Sequence, residues 1–136
     1  MKKRLYNIEK QDHYVCIKFD GGVVIGPQLI MEAVGRLNSL FRIERRCDLW
    51  DFRGCIPDPN FGYDAMARIV DDIKFRIGDN WAEKSALLVD DAIQYGLSRM
   101  FQILAEGYRT RISVFQNETE ARQWISREVN SEAQGS

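Results

Sequence analysis

The chain has 136 residues, 45% hydrophobic and 29% charged, the proportions of one soluble globular domain with an ordinary core. Its 19 Lys and Arg side chains stand against 20 Asp and Glu, a net charge of -1, so the cationic excess that binds a polyanion is missing and nucleic acid is excluded as a partner. No apolar run approaches the roughly 20 residues that cross a bilayer, and Cys16, Cys47, Cys55 and the single His13 show neither a disulfide framework nor the short spacings of a zinc site.

Lys2-Lys3-Arg4 runs straight into a strand pattern, which argues against a signal peptide; with an odd cysteine count, this predicts a cytoplasmic protein. "RLYNIE" (4–9) and "HYVCIKF" (13–19) both alternate, with Val15, Ile17 and Phe19 opposite Tyr14, Cys16 and Lys18. Two such runs with a short polar link predict an antiparallel hairpin. Asp20-Gly21-Gly22 is a turn. "GPQLIMEAVGRLNSLF" (26–41) is helical on the line Leu29, Ala33, Leu37, Leu40, with Gly26 as N-cap and Pro27 at the first position. "CDLWDF" (47–52) is a strand, and "FGYDAMARIVDDIKFRIG" (61–78) a helix on Met66, Ile69, Val70, Ile73 and Ile77 that Gly78 closes.

"SALLVD" (85–90) is nearly continuously apolar, as a strand covered on both faces must be. "AIQYGLSRMFQILAEG" (92–107) is a helix ended by Gly107, "TRISVF" (110–115) the last strand, and "ETEARQWISREV" (118–129) the last helix, with Asn117 and Glu120 at capping-box spacing. Strand and helix alternate, so the fold class is α/β: a mixed, mainly parallel sheet of about five strands with an antiparallel N-terminal strand, right-handed crossovers and four helices. Residues 1–129 form a single domain and 130–136 a disordered tail.

The candidate chemistry sits at strand ends, where open parallel sheets bind ligands. Asp51 and Arg53 close one strand; they are either a ligand contact or a loop brace in which Asp51 accepts backbone N–H groups and pairs with Arg53. Asp58-Pro59-Asn60 is a helix entry. Asp90-Asp91 is either an acid pair or, from the Asp91–Gln94 spacing, a helix cap. Cys55 after a strand is a candidate reactive thiol. Glycine-rich nucleotide loops and Gly-x-Ser-x-Gly are absent. Helix 92–107 is apolar over a wide arc, which predicts deep packing, a dimer face or the wall of an apolar cavity. Tyr95 and Arg99, four apart, share one of its faces.

"LWDFRG", "ALLVDDAIQYGLSRMFQILAEG" and "RISVFQNETEARQWI" resemble the SpoIIAA-like, STAS-type proteins from about residue 13 to 127. The most specific parts are Tyr95-Gly96-Leu97-Ser98-Arg99-Met100-Phe101 and Phe115…Glu120-Ala121…Trp124. The resemblance implies a β-α superhelix with strands in sequential order, an architecture shared with CRAL-TRIO lipid-transfer domains. STAS antagonists of anti-sigma factors carry a phosphorylatable Ser after the Asp-ended strand; Gly54 to Tyr63 contains neither Ser nor Thr, so that switch is not expected. The expected function is a non-catalytic cytoplasmic interaction or regulatory module that binds itself, as a homodimer, or another protein. The alternative is a binder of an apolar small molecule or lipid, and an enzyme on Asp51, Cys55 or Asp90-Asp91 ranks third. Candidate ligand or partner contacts are Asp51, Arg53, Tyr95 and Arg99, with no metal or cofactor.

Overall fold

A computed structural model describes residues 5–41, 46–78 and 81–127. The elements are β1 (Tyr6–Lys10), β2 (Val15–Phe19), β3 (Val24–Ile25), α1 (Pro27–Phe41), β4 (Cys47–Asp51), β5 (Ile56–Pro57), α2 (Tyr63–Arg76), β6 (Lys84–Leu88), α3 (Ala92–Leu104), β7 (Arg111–Phe115) and α4 (Glu118–Ser126). The main sheet has five strands in the order β1-β2-β4-β6-β7. β1 pairs antiparallel with β2, Tyr6 opposite Phe19; the other pairings are parallel. The expected continuation of the last helix to 129 and the tail 130–136 lie outside the described residues.

Because the strands follow one another across the sheet, each crossover steps the same way. One handedness then puts every crossover helix on the same face. α1, α2 and α3 pack together there, over Ile17, Phe19, Trp50 and Leu87. Among the described residues only α4, which follows the last strand, takes the other face, where Ala121 and Ile125 close over Cys16, Leu49, Ala86 and Leu88. The alternation is realised from Val15 onward: Val15, Ile17 and Phe19 enter the thicker layer, while Cys16 enters the thinner one and Lys18 is exposed. β6 is flanked by β4 and β7, and all five of its residues are buried.

The two-residue strands β3 and β5 form a second parallel sheet, Val24 opposite Ile56. No periodicity can mark so short a pairing; it follows from two loops being brought together at one end of the main sheet. Gly54 supplies the turn into β5, since its φ of +80° is one that side-chain-bearing residues rarely adopt. Its carbonyl accepts the Gly22 N–H at 2.9 Å.

The helix ends partly follow expectation. The Gly26 carbonyl accepts from Ile30 N–H at 3.1 Å, so Gly26 does open α1. Gly78, at φ +110°, ends α2, with its N–H on the Ile73 carbonyl. Asp58 and Asn60 do not cap α2: Asp58 Oδ1 accepts the Asn60 N–H at 2.8 Å in a tight turn, and the helix starts later, behind Gly62 without a side-chain cap. α3 ends at Leu104, short of Gly107. The following turn brings Tyr108 edge-on to Trp81, 5.2 Å between ring centroids, and its hydroxyl onto the Val70 carbonyl.

Candidate binding cavity

Between the sheet and α1–α3 lies a cavity of about 90 Å³. Its wall runs along β4 from Arg46 to Phe52, six residues of rise or about 20 Å. The sheet contributes Trp50 and Leu87, α1 Ile30, Val34 and Leu37, α2 Met66, Ile69 and Ile73, and α3 Leu97, Ser98 and Phe101. Phe52 and Trp50 stack at 6.2 Å and Phe52 on Phe19 at 5.4 Å, which holds one wall rigid. The breadth of helix 92–107 is thus divided: Leu97 and Phe101 form a cavity wall, while Ile93, Tyr95 and Ile103 stay exposed on the outside.

The lining is apolar except at a few points, and most of the polarity gathers near the start of β4. Asp48 has no exposed surface. Its Oδ1 accepts from Ser85 Oγ at 2.5 Å and from Trp50 Nε1 at 3.1 Å. Trp81 Nε1 donates in turn to Ser85 Oγ at 3.1 Å. Arg46 Nε stands 3.8 Å from Asp48 Oδ2, an ion pair beyond hydrogen-bond reach. Those two atoms are buried and have no hydrogen-bond partner among the described residues. Burial pushes the Asp48 carboxyl up to about 6, against the pull of Ser85, Arg46 and Trp50. Burial likewise pushes the Arg46 guanidinium down, with Asp48 opposing it.

The strand-end residues singled out in the sequence lie elsewhere and are joined to one another. Asp51 is buried; its Oδ1 accepts from the Arg53 backbone N–H at 3.1 Å and Nε at 3.0 Å, its Oδ2 from Nη2 at 2.8 Å. Arg53 also reaches Glu118 Oε1 at 2.7 Å, and Glu118 Oε2 accepts from Arg122 Nε at 2.7 Å. Arg122 donates to the Tyr14 hydroxyl. The bond to Asp51 raises the Arg53 pKa, and Arg122, then Arg53, lowers that of Glu118. This chain ties the end of β4 to α4, and Asp51 has the loop-bracing geometry.

Asp90 accepts the Gly54 N–H at 3.1 Å, and Asp91 caps α3 through the Gln94 N–H at 2.8 Å. Buried Gln94 bridges the two loops, donating to the Cys55 carbonyl at 2.8 Å and accepting from Asp90 N–H at 2.9 Å. Tyr95 and Arg99 are exposed and do not line the cavity; Arg99 bonds Gln102. No hydrogen bond or ion pair among the described residues joins them to Asp51 or Arg53. Cys55 is buried, and burial with Asp51, Asp90 and Asp20 pushes its thiol up to about 11, the reverse of an activated thiolate. The three cysteines are free thiols.

Sequence reasoning passed over Arg46, Asp48 and Ser85. One signal was available: an acid inside a strand is unfavourable, and the test applied to Asp51 at the strand's end applies with more force to Asp48 inside it. Ser85 carries no signal of its own until register places it opposite Asp48.

The architecture is that of an α/β protein with a SpoIIAA-like fold, a sequential mixed main sheet with an apolar cavity on its thicker side. The chain is similar to the crystal structure of an uncharacterized protein of the DUF3478 family, with a SpoIIAA-like fold, from Shewanella loihica PV-4: the TM-score is 0.57 at 15% identity, over 92% of this chain and 98% of that one. No protein-family model and no curated protein matches the chain. Among the described residues, no helix is long and apolar enough to cross a membrane.

Proposed function

We propose that this chain is a non-catalytic, cytoplasmic binding module of STAS type that holds a small apolar molecule between its sheet and α1–α3. The observation that supports this reading is the cavity. Protein interiors pack densely and leave few voids larger than a water molecule, yet a space of about 90 Å³ persists here between well-ordered aromatic walls. An apolar pocket with a few convergent polar groups is the ordinary form of a small-molecule site. The groups available for catalysis are engaged otherwise: Asp51 braces a loop, Asp91 caps a helix, and Cys55 is held as a thiol.

Toluene, added to the protein while tryptophan fluorescence is followed, tests the reading, because Trp50 and Trp81 line the space. Saturable quenching or enhancement is expected in the wild type. Ser98→Leu, which extends a buried α3 side chain into the cavity, is expected to fold and to lose that response. No saturable response in the wild type would remove the proposal.

A second reading, contact with another protein or a second copy, is favoured by exposed apolar side chains. Val24 and Ile56, paired across β3 and β5, are 55% and 53% exposed, and Phe75 is 91% exposed. A strict monomer in sedimentation, with nothing co-purifying, counts against it.

A further inference from the structure

We propose that β7 pairs antiparallel with β7 of a second copy of this chain and extends the main sheet across a two-fold axis at Val114. The inference rests on the second reading above, contact with a second copy, and assigns that contact to a strand edge rather than to the exposed Val24 and Ile56.

β7 is the last strand of the main sheet, and its ladder to β6 decides which of its groups are used. The Arg111 N–H donates to the Glu83 carbonyl at 3.1 Å, and the Phe115 carbonyl accepts from the Val89 N–H at 2.9 Å. Parallel pairing in continuous register then turns the backbone groups of Arg111, Ser113 and Phe115 toward β6. Those of Ile112 and Val114 point the other way, to the open side of the sheet. The Ile112 carbonyl accepts from Gln102 Nε2 at 2.7 Å. The Ile112 N–H, the Val114 N–H and the Val114 carbonyl have no hydrogen-bond partner among the described residues. Water can reach this strand: Ile112 to Phe115 are half-buried, whereas all of β6 is buried. α4 turns back over β2, β4 and β6.

Natural sheet edges are blunted by charge, proline or a bulge. β1, the other edge, carries exposed Glu9 and Lys10. Ile112-Ser113-Val114-Phe115 has no charge, no proline and no break in register, and its β-branched and aromatic residues suit a strand.

A second copy complements this edge. With Val114 opposite itself, the N–H and carbonyl of each Val114 bond those of the other, as in a hydrogen-bonded antiparallel pair, and the Ile112 carbonyl keeps Gln102. The start of each β7 then lies beside the end of the other. Arg109 and Arg111 stand at the start, while Glu118 and Glu120 open α4 just past the end, so opposite charges meet on both sides of the axis. Parallel pairing would set like charges together. The net charge of -1 adds little repulsion between copies.

Sedimentation of the full chain over a concentration series, with residue-resolved amide exchange of dilute and concentrated samples, tests this. The wild type is expected to form a dimer with a dissociation constant on the order of 100 µM, since one strand pair is a small interface. The Ile112 and Val114 amides are expected to exchange freely when dilute and to gain protection when concentrated, while Ser113 and Phe115, bonded to β6, stay protected throughout. Val114→Pro removes an N–H that makes no bond within the chain, a place where edge strands tolerate proline. It is expected to weaken the dimer at least about thirtyfold, the scale of two backbone hydrogen bonds across the axis. A dimer that persists in Val114→Pro, or one whose formation leaves exchange at 112 and 114 unchanged, overturns the edge inference and leaves self-contact through another surface. A wild type that stays monomeric to about 1 mM overturns both. The wild-type exchange pattern decides even where the variant does not fold.

Discussion

Asp48 carries an ionisable carboxyl with no exposed surface, and its protonation is linked to folding. Its folded pKa is about 6 against an ordinary 3.8, so the native state holds the proton more tightly than the unfolded chain. The stabilisation is complete below about pH 3.8 and is lost as the pH rises through 6. Denaturant unfolding of wild type and Asp48→Asn at a series of pH values isolates this group, because the other carboxylates cancel in the difference. The wild type is expected to lose about 2 kcal/mol relative to the variant between pH 4 and 7; a flat difference would show that Asp48 is not held in this environment. Arg53 and Glu118 make shorter ion pairs, but both are partly solvated, and such pairs add little to stability.

At the scale of the element, α4 depends on one side chain of the opposing strand. Lys84 is fully buried at the start of β6, and its Nζ donates to the carbonyls of Trp124 and Arg127, each at 2.8 Å. A cation at a helix C-terminus satisfies carbonyls that have no partner within the helix and complements its dipole. The ammonium also stands 5.2 Å from the Trp124 ring centroid. At the other end, Asn117 accepts the Glu120 N–H at 2.9 Å, the capping contact anticipated from spacing. Lys84→Met keeps the apolar stem and strips the donors. It is expected to cost about 2 kcal/mol and to speed amide exchange across 118–126 while leaving α2 protected. Exchange that is unchanged in α4 would mean that Lys84 does not hold its end.

For the whole molecule, the sequential strand order sets the distribution of mass. Three helices on one face and one on the other leave a thick layer, and the cavity lies within it. Voids of this kind make unfolding shrink the system, typically by roughly 20–100 mL/mol. Pressure unfolding followed by tryptophan fluorescence is therefore expected to show a large negative volume change in the wild type and a smaller one in Ser98→Leu. Equal volumes would indicate that the space closes in solution.

The class of fold was legible in the chain because it depends on local periodicity. Alternation in 13–19, the apolar run from Ala86 to Val89 and the helical stripes on Leu37, Ile69 and Ile125 each state which face is buried. Their order along the chain then restricts the sheet. The caps at Asp91 and Asn117 were legible for the same reason, since a cap and the N–H it binds lie within three residues. The strands β3 and β5, the Lys84 clasp and the Arg46–Asp48–Ser85 cluster were not, because each joins residues distant in sequence whose partner is decided by register and packing alone. Asp51, Arg53, Tyr95 and Arg99 stood out by residue type, yet only the tertiary structure separates the first two, bound into a brace, from the exposed second two, and lines the cavity with none of them. An interior void is set by how several elements fail to fill a volume together, and no single stretch of sequence carries that quantity.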